Sequence, residues 1–530
     1  MEKKVSIYDS TLRDGAQGEG ISFSAEDKLK IVKALDALGV DYIEAGNPAS
    51  NPKDLEFFKR VRNVELRSAK LVAFGSTRRK FMKPEEDENL MSLLGAGTAY
   101  MAIFGKCWDF HVTDVINTTL EENLLMIGDT VRYLTEKGKK VFFDGEHFFD
   151  GYKNNPEYAM AALAAAKEAG AISLVLCDTN GGCLTGEAAE ITRKVKETFG
   201  MTVGVHYHND SGLAVANSVE SVLMGASEIQ GTFIGFGERC GNTNLSTVIP
   251  NLQLKLGYTC IPADRMEQLT DTARFVSEVA NISFDENAPY VGRNAFTHKG
   301  GMHIDGMNKD KRSFEHLEPT LVGNARRFLM SEVSGRSTVL KNIQKIVPGI
   351  GKDSEEAFMI LKRLKELEHE GYQFEGAEST FELVIRKQLG KYHPFFDLED
   401  FKIIGEKPDN EGLFSSYAMV KINVEGKTKI TAAEGEGPVN ALDKALRECL
   451  EGFYPVLKKT YLTDYKVRVL DGKDATAAKV RVLITTTDGH TEWTTIGVST
   501  DIIRASLIAL TDSIEIKLLR ELEVKIRNYI

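Results

Sequence analysis

The sequence predicts an α/β fold: a (β/α)8 TIM barrel, then a helical linker and lid region, then a C-terminal α+β regulatory domain. Three observations carry this. Up to about residue 255, short β-branched apolar runs alternate with stretches of helical period. The runs number eight, over a span near the ~250 residues of a closed barrel. Past that point the rhythm stops, and the final ~115 residues show strand alternation broken by turn signals. The boundaries expected are 1–270 for the barrel, 271–395 for linker subdomains with a lid segment, and 396–530 for a regulatory or dimerisation domain.

Barrel strands are predicted at 5–9, 40–44, 71–75, 100–105, 141–144, 174–177, 203–207 and 229–234. Helices are predicted between them at 25–38, 120–135, 157–169, 186–198 and 213–224. An open sheet binding a dinucleotide would put Gly-x-Gly-x-x-Gly after the first strand. Here that strand runs into Ser10-Thr-Leu-Arg-Asp-Gly-Ala-Gln17 instead. Alone, Arg-Asp-Gly is an ordinary turn. A barrel, however, carries its active site at the carboxyl ends of its strands. The polar residues fall there: Arg13 and Asp14, Glu44, Glu146, Asp178 and Thr179, His206, His208 and Asn242.

In Val203-Gly-Val-His-Tyr-His-Asn-Asp210 the histidines stand at i and i+2, so a strand turns both to one face. Beside an anionic Asp14 they could complete a divalent metal site with open positions. They could equally hydrogen-bond to neighbouring strands and fill the barrel. After the last strand, Gly235-Phe-Gly-Glu-Arg-Cys-Gly-Asn-Thr-Asn244 lets backbone approach a ligand, and Asn242 can offer an oxygen.

Bulk properties narrow the class. The net charge is −11 with no basic run, which argues against nucleic acid or an anionic membrane as the main partner. No segment approaches the ~18 apolar residues of a membrane span. The N-terminus enters a strand directly, without a signal-peptide apolar region. The six cysteines are scattered without a Cys-x-x-Cys pair, as expected for buried reduced thiols. A cytoplasmic location is expected.

Ser-Thr-Leu-Arg-Asp-Gly, His-Tyr-His-Asn-Asp and Gly-Glu-Arg-x-Gly-Asn, so spaced, resemble the metal-dependent Claisen-condensing acyltransferases. That family includes the 2-isopropylmalate, homocitrate and citramalate synthases, and the similarity covers essentially the whole chain. The stretches Arg13-Asp-Gly-Ala-Gln-Gly-Glu-Gly-Ile-Ser-Phe-Ser24, Asp144-Gly-Glu-His-Phe-Phe-Asp-Gly-Tyr152 and Thr297-His-Lys-Gly-Gly-Met-His303 look closest to the (R)-citramalate synthase branch. The resemblance implies a divalent metal (Mg, Mn or Zn) on Asp14, His206 and His208, with Asn242 as a fourth oxygen. It implies that Arg13 binds and polarises the oxo group, that Thr179 holds the oxo-acid carboxylate, and that Glu146 anchors substrate, with Asp14 also at the substrate. Taken alone, Glu146 could be a surface carboxylate and Thr179 a helix cap.

The segment Asn294-Ala-Phe-Thr-His-Lys-Gly-Gly-Met-His-Ile-Asp305 pairs glycines with two histidines and suits a lid carrying a proton-transfer group. By resemblance His303 acts in the condensation or hydrolysis step. Some relatives have a tyrosine downstream of it; the nearest aromatic here is Phe314. The stretch 355–370 reads as an amphipathic helix. At the C-terminal end, strands at 417–424 and 428–432 lead to a helix at 440–450, and strands at 466–470, 479–486 and 491–497 to one at 501–513. Two strand-strand-helix halves suit pairing with a second copy. This end resembles a leucine-type regulatory domain, whose Gly-x-Gly-Pro-Val opens a helix. Gly435, Gly437, Pro438 and Val439 are therefore the expected effector site, able to hold an amino-acid carboxylate on helix N–H groups. A purely structural dimerisation role is the alternative.

The expected reaction condenses acetyl-CoA with a 2-oxo acid, pyruvate, and hydrolyses the thioester. Expected partners are an isoleucine or leucine effector and a second subunit in a homodimer. The general base is His303 or Glu146. The alternatives are a synthase acting on 2-oxoisovalerate, with the same chemistry and a larger acceptor, and a non-catalytic amino-acid sensor on a barrel scaffold.

Overall fold

The computed structural model describes residues 3–49, 51–62, 64–298, 303, 306, 307, 309–328, 343, 344, 346, 347, 349–351, 354–374, 376–406, 415–470 and 477–529. The chain divides into two compact units, Met1–Phe296 with Leu317–Arg326, and Thr297–His316 with Arg327–Ile530.

The first unit is a closed barrel of eight parallel strands in sequence order. They are β1 Ser6–Asp9, β2 Tyr42–Glu44, β3 Lys70–Ser76, β4 Tyr100–Lys106, β5 Lys140–Glu146, β6 Ser173–Asp178, β7 Val203–Tyr207 and β8 Glu228–Gly231. Closure comes from β1, which pairs with β2 on one edge and with β8 on the other. Strands β6, β7 and β8 are buried along their whole length, as expected of a parallel sheet covered by helices. Tyr8, Val72, Ala102 and Phe142 fill the barrel interior, with Tyr8 edge-on to Phe142 at 5.4 Å between centroids.

The helix Ala25–Leu38 shows how local sequence sets the boundaries. Ser24 and Asp27 form a reciprocal capping box, and Gly39 ends the helix in the left-handed region (φ 97°). Pro52–Val61 and Glu88–Ala96 lie outside the predicted helices. Each is too short for its periodicity to stand out, and burial of Phe57, Phe58, Leu90 and Leu93 holds them. The eighth strand is shorter than the predicted run, because Thr232 turns out of the sheet and its hydroxyl donates to Phe236 O (2.7 Å).

In the second unit, helices Glu355–Glu370 and Glu378–Gln388 share a core of Ile360, Leu364, Leu367, Phe374, Phe381 and Ile385. Two antiparallel three-stranded sheets follow. Asp397–Glu406, Ser415–Val424 and Lys427–Gly435 precede helix Pro438–Leu450; Tyr461–Val469, Val480–Thr487 and Glu492–Ser499 precede helix Ile502–Tyr529. Each half thus has three strands before its helix, where the sequence reading of the first half counts two. The extra strand, Asp-Leu-Glu-Asp-Phe-Lys-Ile-Ile-Gly-Glu, contains the run 401–404 that the sequence places at the opening of the α+β stretch, outside the two halves. The last helix runs far past residue 513, since Ile514, Ile516, Leu518 and Leu519 continue its buried face.

The expected lid falls partly on residues 299–302, 304 and 305, which lie outside the described residues. All six cysteines are free, and Cys240 alone among them is exposed. Among the described residues, no helix is long and apolar enough to cross a membrane.

Candidate active site

At the carboxyl ends of the strands lies a cavity of about 220 Å³ lined by Arg13, Asp14, Phe74, Phe104, Thr179 and His208, together with Gln17, Asp144, Glu146, Cys177, His206 and Glu238. Arg13 and Asp14 reach it from the turn after β1. Backbone and side-chain contacts fix Asp14 there: its N–H donates to Ser10 O (2.9 Å), and its Oδ2 lies 3.1 Å from His206 Nε2 and 3.9 Å from His208 Nε2. One ligand atom from each of Asp14, His206 and His208 lies within 4.8 Å of the others, and all three residues are buried. The i, i+2 spacing in β7 places both imidazoles on this face, as strand periodicity requires.

Electrostatics separate the two histidines. Burial alone would lower the pKa of His206, but the hydrogen bond and charge of Asp14 raise it. Burial and the neighbouring His206 push His208 down to about 4. Burial opposes ionisation of Asp14, and Arg13 first, then His206, hold it well below the usual carboxylate range. His206 Nδ1 faces Gln230 Oε1 at 3.0 Å, which sets the ring so that Nε2 points at Asp14.

Two buried atoms, His208 Nδ1 and Asn242 Oδ1, have no hydrogen-bond partner, and His208 turns its other ring nitrogen, Nε2, toward Asp14. As oriented, Asn242 turns Nδ2 toward Asp14 Oδ2 (3.2 Å) and His206 Nε2 (3.3 Å), whereas the sequence reading expects its oxygen there. The amide donates because Asp14 is an anion; a half-turn about the terminal torsion exchanges the two ends. Gly237 permits this packing, since a Cβ there would overlap Asn242 Oδ1. Two imidazoles, a carboxylate and an amide oxygen form a donor set suited to a divalent ion.

Arg13 is held on every side. Its Nε lies 2.5 Å from Glu44 Oε2, its Nη1 3.3 Å from Asp14 Oδ2, and its guanidinium packs 3.8 Å from the centre of the Phe74 ring. Phe74 and Phe104 stack with centroids 5.2 Å apart and form the apolar wall of the cavity. Glu146 lines the cavity and pairs with Lys106 Nζ at 2.5 Å. Thr179 also lines it, its Oγ1 accepting the His147 backbone N–H at 2.9 Å.

His303 is exposed and belongs to the second unit, where it stacks on Phe314 at 4.1 Å between centroids. His298 is buried and pairs with Glu315 (2.9 Å), a structural role. Gly435 closes its strand against Ala441 N, where a Cβ would clash. Gly437 caps helix Pro438–Leu450, and Val439 packs on the domain core. The sequence reading misses Lys106, Gln230, Phe74 and Phe104.

Residues 4–276 match the HMGL-like family, residues 290–371 the homocitrate synthase post-HMGL domain-like family, and residues 375–518 the LeuA allosteric (dimerisation) domain. The chain is 50% identical over 524 residues to a protein of Aquifex aeolicus (strain VF5) named (R)-citramalate synthase, covering 99% of each chain. It is 48% identical over 526 residues to a protein of that name from Synechocystis sp., covering 97% of this chain and 96% of the relative. A probable 2-isopropylmalate synthase of Methanopyrus kandleri is 30% identical over 509 residues, covering 96% of this chain and 97% of that protein.

Proposed function

The chain belongs to the HMGL-like family and, within it, to the (R)-citramalate synthases, and we propose that it condenses acetyl-CoA with pyruvate to give (R)-citramalate and free CoA, the first step of a threonine-independent route to isoleucine. It is an acyltransferase rather than a sensor. The observation that carries the choice of acceptor is the likeness to the curated relatives: 50% identity over 524 residues to an (R)-citramalate synthase, against 30% over 509 residues to a probable 2-isopropylmalate synthase.

Asp14, His206 and His208, with Asn242, would hold a divalent ion (Mg, Mn or Zn), whose contribution is Lewis-acid polarisation of the oxo acid. The Thr179 hydroxyl donates to the pyruvate carboxylate. Arg13, fixed by Glu44 and Phe74, stabilises the charge that grows on the carbonyl oxygen as the acetyl methyl carbon bonds to C2. Glu146, already in the cavity, takes the methyl proton, and Lys106 holds its carboxylate in place. His303 is the alternative base. The new alkoxide takes a proton, and water cleaves the thioester, releasing the CoA thiol and making condensation effectively irreversible. The LeuA-type domain supports a homodimer inhibited by isoleucine, with leucine as the second choice, bound at Gly435–Val439.

The test is a panel of 2-oxo acids with acetyl-CoA, read by thiol release. Pyruvate should exceed 2-oxoisovalerate in kcat/KM by about tenfold or more, the scale of a misfitting apolar group in a tight pocket. The reverse order would assign the chain to the branched oxo acid.

A further inference from the structure

Four non-glycine residues in the barrel's strand-end loops, Phe81, Asn117, His147 and Arg239, adopt backbone conformations that side chains with a Cβ seldom take, and the last two converge on Thr179. His147, just past β5, has φ 55° and ψ 33°. Arg239, in the loop after β8, has φ 54°. Such left-handed positions are uphill for non-glycine residues and persist only where their surroundings enforce them.

The enforcement is visible at both. At His147, ring Nδ1 lies 3.3 Å from Asp150 Oδ2, which also accepts Asn180 Nδ2 at 2.9 Å. The ring packs against His111 at 4.2 Å between centroids. Arg239 grips the Asp210 carboxylate through Nε (2.8 Å) and Nη2 (3.1 Å).

The two bends act on one residue from opposite ends. The His147 turn aims its backbone N–H at Thr179 Oγ1 (2.9 Å), and Arg239 Nη2 donates to Thr179 O (2.7 Å). Thr179 is thereby tied to the loops that follow β5, β7 and β8. With one lone pair of its oxygen occupied by the His147 N–H, the hydroxyl hydrogen of Thr179 is free for an acceptor in the cavity. Neither His147 nor Arg239 lines that cavity, so neither is placed to touch the substrate.

We propose that His147 and Arg239 are positioning residues that aim the Thr179 hydroxyl at the carboxylate of the 2-oxo acid, a role that rests on reading Thr179 as the carboxylate donor. For His147 the working group is the backbone N–H, so conformation matters more than the imidazole. Valine, β-branched, resists the left-handed region, whereas asparagine tolerates it.

Steady-state kinetics on the full-length, metal-supplemented protein test this, with KM for pyruvate and for acetyl-CoA measured separately. His147→Val and Arg239→Gln should each raise KM for pyruvate about tenfold, the scale of a mis-aimed hydrogen bond to a charged group. KM for acetyl-CoA should stay within about twofold, and His147→Asn should restore most of the loss. Thr179→Ala should raise KM for pyruvate on its own, and adding His147→Val to it should cost nothing further, because the effect runs through the absent hydroxyl. If Thr179→Ala raises KM but His147→Val and Arg239→Gln do not, or if the effects add in the double variant, the positioning role is wrong and the carboxylate reading stands. If Thr179→Ala leaves KM for pyruvate unchanged, the carboxylate reading itself falls, and the positioning role with it. Should His147→Val fail to fold, Arg239→Gln with and without Thr179→Ala carries the same comparison.

Discussion

Replacing Gln230 by leucine should weaken divalent-metal binding without touching any proposed ligand. Gln230 Oε1 sits 3.0 Å from His206 Nδ1, while its Nε2 donates to Asp144 Oδ1 at 3.2 Å. Every partner is buried. By accepting from Nδ1–H, the amide fixes the ring so that Nε2, the nitrogen facing Asp14, is the one that can give up its proton to a metal. Leucine nearly preserves volume but leaves that N–H without an acceptor, a loss of about 1–3 kcal/mol for a buried donor. The ring can recover it by moving its hydrogen to Nε2, which removes the lone pair from the ligand set. Either way metal affinity should fall about 10- to 100-fold, the usual scale for losing a group that orients a ligating histidine. Calorimetric titration with Mn²⁺ reads this directly, with far-UV circular dichroism as the control for folding. A folded Gln230→Leu protein that binds Mn²⁺ as tightly as the parent would refute the reasoning, and with it the placing of the metal on His206 Nε2.

Asp14→Ala should abolish metal-dependent CoA release; retained turnover would remove Asp14 from the site. Burial first, and Asp144 second, push Glu228 from its ordinary 4.5 up to about 8. The folded chain therefore keeps a proton that the unfolded chain releases, and stability falls as pH rises between those values. Glu228→Gln should be near neutral at pH 4.5 and stabilising at pH 9, by at most about 5 kcal/mol at about 1.36 kcal/mol per pH unit; a thermal melt with the same pH slope as the parent would contradict this. Gly437 has open space around it and an extended backbone (φ −168°), so Gly437→Asp fits sterically and puts a negative charge at the helix N-terminus. It should weaken inhibition by isoleucine about tenfold or more while the uninhibited rate stays unchanged; undiminished inhibition would move the effector elsewhere.

The barrel is legible in the sequence because each strand carries its own signal: a short β-branched run between stretches of helical period. The facing of His206 and His208 is legible for the same local reason. Short helices such as Pro52–Val61 are not, since tertiary burial of Phe57 and Phe58 rather than propensity holds them. Lys106 escapes a motif reading because it works through a partner far along the chain, Glu146, whereas Glu44 is legible as a strand-end carboxylate but its hold on Arg13 is not. The bends at His147 and Arg239 are harder still. Nothing in the letters H and R announces a positive φ, which only the assembled loops impose.

The charges at the barrel mouth show why these buried groups belong together. Lys106 and Glu146 cancel one another. Burial and Glu44 push Asp144 up to about 7, so it carries at most a fraction of a charge near neutrality. That leaves one guanidinium, Arg13, facing two carboxylates, Glu44 and Asp14. His206, which Asp14 holds toward its protonated form, supplies a second positive group, so the buried charges are paired, as burial away from water requires. A divalent cation on Asp14, His206 and His208 would replace that proton with two positive charges and make the cavity attractive to a carboxylate. Arg13, restrained by Glu44, would then be left to the oxo group. On this argument the metal and the 2-oxo acid bind with positive coupling, each strengthening the other.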